Sequence, residues 1–296
     1  RHQLALNAGF PNFRDYKFKA LGRFDYTKED CFEFHKAIRQ QIVPLVKDIQ
    51  QAKLSKLGKD KFKPWDLDVD PEGKAPLTPF EGGDRLLQGT VNMFNKLDPY
   101  FADCLTTMKS MGHLDLDSKP GKAPGGYNYP LYEIGVPFIF MNSVGAHRDL
   151  ITMVHEGGHA VHSFLSRELE LTAYKSLPSE VAELASMSME LLTMPYWDEF
   201  YSNEQDLQRA KKEHLESILK ILPWIAQIDE YQHWIYENPT HSIEHRHEKW
   251  MELASEYGTG LTDWSGYEDI FASAKFIIGF CKKLLNQFSL KIINIP

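Results

Sequence analysis

The strongest constraint on this chain is a pair of histidines one helical turn apart inside an apolar run. His155-Glu156-Gly157-Gly158-His159 sits among Leu150, Ile151, Val154, Val161 and Phe164, a spacing that predicts a buried helix over 147–167. Residues four apart project from the same face, so both imidazoles can grip one tetrahedral Zn2+. The glutamate between them would then lie beside the ion as a general base. That is half of a zinc site. The same five residues also suit two hydrogen-bonded histidines on a core helix, and the rest of the sequence has to decide.

A catalytic zinc needs a third protein ligand and an open position. The next predicted helix, 178–200, offers Glu180, Glu183 and Glu190. Glu183 is the candidate ligand, because its neighbours Val181, Ala182, Leu184 and Ala185 are small or apolar and a cation would offset the cost of an unpaired carboxylate there. Glu180 and Glu190, at i−3 and i+7 from it, either accept the second ring N–H of a ligating histidine or are solvated surface groups. His162 lies on the same face as His159. As a fourth ligand it would close the site to water, so an orienting or packing role fits it better. His241 and His245 repeat the four-residue spacing, but Arg246 and Lys249 beside them suit a solvated, salt-bridged face.

Composition narrows the partners. Thirty-three Lys plus Arg against 41 Asp plus Glu give a formal charge of −8, which disfavours nucleic acid and anionic membrane surfaces. No apolar stretch approaches the roughly 20 residues of a membrane helix. The three cysteines, Cys31, Cys104 and Cys281, are odd in number and form no CxxC, which suits a reducing, cytoplasmic setting and offers no thiol nucleophile. The first residues carry neither a Met nor a signal-peptide core, so the chain reads as an excerpt of something longer.

The expected fold is mainly α with a small β region. Thr27-Lys28-Glu29-Asp30 forms a capping box opening a helix to about residue 57, which Pro44 should kink or divide. An irregular excursion follows over 59–83, then helix from Asp84 to about Met111 with a break at Asp98-Pro99. The run 136–142 is a short strand, and Pro137 argues for an edge position able to hold an extended peptide. Further helices are expected at 204–237, broken near Pro223, at 241–257 and at 267–290, with Trp197, Trp224, Trp234 and Trp250 in the core. A helical lobe over 1–142, with Gly/Pro-rich loops and the edge strand, and a zinc-binding lobe over 143–296 describe the organisation, best taken as one continuous domain.

Four segments together carry a resemblance. Ala123-Pro124-Gly125-Gly126-Tyr127, Pro137-Phe138-Ile139-Phe140-Met141-Asn142, His155 to His162 and Glu180 to Ser186 resemble the oligoendopeptidase F and thimet oligopeptidase family of zinc metallopeptidases, over a span from about residue 8 to about residue 269. The resemblance implies a zincin-like helical catalytic domain with one Zn2+ per chain held by His155, His159 and Glu183, and Glu156 activating water. It also implies a deep channel for short unstructured peptides, cleaved internally, with the strand bearing Phe138, Phe140 and Asn142 aligning the substrate. Gly126 and Tyr127 of the Gly-rich loop, with Tyr129 and Tyr132 nearby, complete the candidate peptide contacts. The sequence departs from the family after Tyr267, where the resemblance implies a segment with a His and tyrosines that face the metal and hydrogen-bond the developing oxyanion and none occurs, and at its start, where the family's N-terminal helical lobe is expected and not recognised. An oligopeptidase weakened by that loss, and a zinc-binding fragment or pseudoenzyme that holds peptides without cutting them, are the two functional expectations. The sequence sets no oligomeric state.

Overall fold

The computed structural model describes residues 1–267. In chain order these form α1 (His2–Asn7), α2 (Phe13–Ala20), α3 (Lys28–Ala37), a π turn (Ile38–Ile42), α4 (Val43–Leu57), a 3-10 turn (Pro64–Asp66), α5 (Gly83–Leu97) and α6 (Pro99–Ser110). Then come β1 (Leu114–Asp117), β2 (Tyr127–Tyr129), β3 (Phe138–Ser143), α7 (His147–Ser166), α8 (Thr172–Lys175), α9 (Ser179–Thr193), a 3-10 turn (Met194–Glu199), α10 (Glu204–Glu237) and α11 (Ile243–Tyr257). The mainly helical architecture with a small sheet is the expected one. The helix expected over 267–290 and the departure after Tyr267 lie outside the described residues.

Local chemistry sets several boundaries. The Thr27 amide donates to Asp30 Oδ2 at 2.8 Å and the Asp30 amide to Thr27 Oγ1 at 3.4 Å, the reciprocal capping of α3. Pro44 lies in the first turn of α4, where its missing donor costs nothing, and the preceding turn widens into the π turn instead of breaking. Asp98 separates α5 from α6 by accepting from the Tyr100 amide at 2.9 Å. Pro223 does not break α10: the helix carries it internally. Flanking packing, including Trp224 edge-on to Trp250 at 5.9 Å, holds the helix across the lost donor.

The described residues divide into two compact units that interleave along the sequence. Unit one is Arg1–Ala75 with 213–267, and unit two is Pro76–Lys212. Residue 142, the expected lobe boundary, falls within β3 inside unit two. Unit one buries Phe13, Ile38, Val46, Leu54, Phe62, Ala226, Tyr231, Trp250 and Leu253. The core of unit two includes Leu86, Met93, Phe94, Leu105, Met108, Ile139, Met141, Leu150, Met153, Val154 and Trp197.

The strand order is β1-β3-β2. β3 is therefore the central strand, not an edge strand: β1 runs parallel to it, with Leu114 opposite Ile139, and β2 antiparallel, with Tyr127 opposite Phe140. Pro137 precedes the first strand residue, so the ladder loses no donor to it. Alternation buries Ile139, Met141 and Ser143 and turns Phe138, Phe140 and Asn142 to the other face.

Candidate metal centre

α7 buries Leu150, Met153, Val154, Val161 and Phe164, which fixes the rotation of the helix and brings His155, Glu156 and His159 to its packed side. Its start is capped by Asp149, whose Oδ2 accepts from the amides of Val144 at 2.8 Å and Ala146 at 3.0 Å. The His155 and His159 rings stand 4.9 Å apart and nearly perpendicular, at 86°.

The two glycines between the histidines set how closely other helices approach. A Cβ on Gly158 would lie 2.9 Å from Ser186 Cα and 3.1 Å from Met189 Cβ, so α9 packs directly against the bare backbone of α7. A Cβ on Gly157 would meet Phe94 Cζ of α5 at 2.8 Å. Because α9 comes this close, Glu183, one turn before Ser186, reaches the imidazoles. Its Oε2 lies 3.2 Å from His155 Nε2 and 3.7 Å from His159 Nε2. One donor atom from each of His155, His159 and Glu183 falls within 4.8 Å of the others.

Glu190, two turns further along α9, accepts from His155 Nδ1 at 2.6 Å, which orients the ring so that Nε2 faces Glu183. Ser186 donates to the Glu183 carbonyl at 3.1 Å and to its Oε2 at 3.3 Å. The other Glu183 oxygen, Oε1, is buried without a hydrogen-bond partner among the described residues. A carboxylate oxygen so placed costs several kcal/mol unless a cation or donor meets it. Two imidazoles and one carboxylate are also the donor set of a three-ligand zinc site with an open position, so these residues fit the ion. Burial by itself would lower the pKa of His155. The bonds to Glu183 and Glu190 and the charge of Glu156 outweigh it and raise the ring to about 9.

Other expected participants are spread more widely. His162 is half-buried, its pKa is lowered by burial, and its Nδ1 has no hydrogen-bond partner among the described residues; it does not belong to the group of three. Glu180 is partly exposed in the first turn of α9. His241 precedes the Ser242 cap of α11 and His245 lies in its first turn, away from any such group among the described residues. On the sheet, Tyr127 stacks on Phe140 with ring centroids 5.0 Å apart and planes at 11°. The Lys122 ammonium stands 4.7 Å from the Phe140 centroid on the ring's face, and Asn142 Nδ2 donates to the Lys122 carbonyl at 3.3 Å. Phe138 packs beside His113 at 6.3 Å. Gly126 lets its loop close onto α7, since a Cβ there would meet Thr152 Cγ2 at 2.7 Å. Lys122 and Thr152 lay outside the segments the sequence singled out, and Ser186 lay inside one without an assigned role. Only Ser186 carried a signal, as a small polar residue three after Glu183.

A family model described as peptidase family M3 matches residues 1–274. Oligoendopeptidase F, chromosomal, of Lactococcus lactis subsp. cremoris is 32% identical over 126 residues, covering 42% of this chain and 20% of that protein. Oligopeptidase PepF of Bacillus subtilis (strain 168) is 36% identical over 83 residues, covering 28% and 12%. Among solved structures, PZ peptidase A with inhibitor 2 superposes with a TM-score of 0.87 at 29% identity, over 99% of this chain and 50% of that one. A putative oligoendopeptidase F from Bacillus anthracis str. Ames gives 0.80 at 31% identity, over 86% and 46%. The chain thus spans about half the length of these structures, and its matches reach a fifth or less of the curated relatives.

Proposed function

The chain belongs to peptidase family M3, and on that premise we propose that it is the zinc-dependent catalytic portion of an endopeptidase acting on short unstructured peptides. The observation that carries this reading is Glu183, delivered from α9 to the two imidazoles with one buried oxygen left for a cation. His155, His159 and Glu183 would hold the ion. Zn2+, when bound, supplies Lewis-acid polarisation of the scissile carbonyl and lowers the pKa of water. Glu156, buried between the histidines in sequence, takes the proton from the attacking water and returns it to the departing amine. Glu190 orients His155 throughout. Since β3 is flanked on both sides, the peptide main chain lies along the outer edge of β2, where Tyr127 and Tyr129 are exposed. The unpaired thiols Cys31 and Cys104 suit a reducing, cytoplasmic setting.

A second reading is favoured by one feature. Residues 268–296 contain neither His nor Tyr, where the family resemblance places side chains that hydrogen-bond the developing oxyanion, and loss of one such donor costs about 100- to 1,000-fold in rate. On this reading the chain binds zinc and peptide without useful turnover. A fluorogenic internally quenched peptide, assayed with the wild type and with Glu156→Gln, separates the two. Chelator-sensitive cleavage that disappears in the variant, while zinc content stays the same, supports the peptidase. Peptide binding with no cleavage by either protein supports the silent form, and a zinc-free preparation that takes up no zinc refutes both.

A further inference from the structure

A second group of donors converges in unit one. α3 carries Cys31 and His35, and α10 carries Asp229 and His233, each pair four residues apart and therefore on one helix face. One donor atom from each of Cys31, Asp229 and His233 lies within 4.8 Å of the others. Asp229 Oδ2 is 2.8 Å from His35 Nε2 and 3.4 Å from His233 Nε2. The rings of His35 and His233 stand 5.8 Å apart at 80°, and Phe32 closes on His233 edge-on at 5.1 Å. His35 is 1% exposed and His233 4%. The Nδ1 atom of each is buried with no hydrogen-bond partner among the described residues, Glu230 Oε2 being 3.8 Å from that of His35.

A relay in which Asp229 merely bridges two histidines accounts for the carboxylate. It leaves unexplained why the thiol of Cys31 sits within 4.8 Å of a carboxylate and an imidazole nitrogen. We propose that Cys31, Asp229 and His233 form a second metal site, for a borderline divalent cation such as Zn2+ or Co2+, with the His35 ring N–H holding Asp229 in position. Mixed thiolate, imidazole and carboxylate ligation selects such ions over Mg2+ or Ca2+. The balance of charge is favourable, since a divalent cation neutralises one carboxylate and one thiolate and leaves the imidazole neutral in a largely buried cluster. The Cys31 thiol proton passes to solvent as the sulfur–metal bond forms. In the metal-free chain, burial and the charge of Asp229 push that thiol up to about 11, so without a cation it stays protonated.

Cobalt tests this site independently of the α7 centre, which has no sulfur. The whole chain is loaded with Co2+ as wild type and as His155→Ala/His159→Ala. Thiolate-to-cobalt charge-transfer absorption is expected in both, with one equivalent bound in the double variant. Adding Cys31→Ser abolishes the absorption, and His233→Gln lowers cobalt affinity at least tenfold, each in a chain that circular dichroism shows to be folded. Wild type without the absorption, or absorption that survives Cys31→Ser, overturns the proposal. Either result leaves the α7 centre untouched, and loss of metal from that centre alone leaves this absorption in place.

Discussion

Gly158→Ala puts the geometry of the centre under direct strain. The added methyl would sit 2.9 Å from Ser186 Cα, 3.1 Å from Met189 Cβ and 3.4 Å from the Ala185 carbonyl. Carbon atoms rest at about 3.5–4.0 Å, so α9 must retreat by roughly 0.6–1 Å. Ser186 Cα is backbone and cannot swing aside. Alanine gains about 0.8–1 kcal/mol over glycine in helix propensity, whereas overpacking costs about 1–3 kcal/mol, so the fold loses at most about 2 kcal/mol. The proposed ligand set suffers more, because zinc ligands tolerate errors of only about 0.2 Å and Glu183 lies one turn from the clash. Zinc affinity, measured by competition against a chromophoric chelator, should fall at least tenfold, about 1.4 kcal/mol. Gly157→Ala serves as the control. Its clash is with the Phe94 ring on α5, so it should lower the melting temperature while leaving zinc affinity within a few-fold. If Gly158→Ala binds zinc as tightly as wild type, the idea that bare backbone contact delivers Glu183 is wrong.

Two further outcomes follow from single contacts. Glu190→Gln keeps the size of the side chain but removes the charge that orients His155, and zinc affinity should drop about 10- to 100-fold in chelator competition; unchanged affinity would show that the 2.6 Å bond is dispensable. Asp66 is held below its ordinary value of 3.8 by Lys59 at 2.7 Å and by the Lys63 amide at 2.9 Å. On acidification the unfolded chain takes up this proton first, so the contribution is complete above that value and is lost below it. Asp66→Asn should therefore flatten the dependence of denaturant midpoint on pH below about 4, and an unchanged slope would remove Asp66 from the account.

What the sequence revealed was chiefly what local chemistry decides. The capping of α3 by Thr27, the Asp98-Pro99 break and the face of α7 each depend on residues a few positions apart, and each stands where the pattern placed it. Non-local pairing was hidden. Leu114–Asp117 and Tyr127–Tyr129 are too short to show a period of two, and without them β3 could only be guessed as an edge. Pro223 misled because packing against α11 outweighs one lost hydrogen bond. Glu183 was legible as an acid in apolar company, and Glu190 was one of two candidate acceptors for a histidine N–H; that Glu190 rather than Glu180 bonds His155 depends on the rotation of α9. The pairing of His35 with Asp229, 194 residues apart, left no trace in the sequence.

The proposed function rests on one ion shared by α7 and α9. A crystal of the zinc-loaded chain, with anomalous differences collected on either side of the zinc edge, tests it most directly. A peak is expected about 2.0–2.2 Å from His155 Nε2, His159 Nε2 and a Glu183 oxygen. Zinc-soaked crystals with no peak among these three side chains, or with the Glu183 carboxylate turned away from the ion, would contradict it.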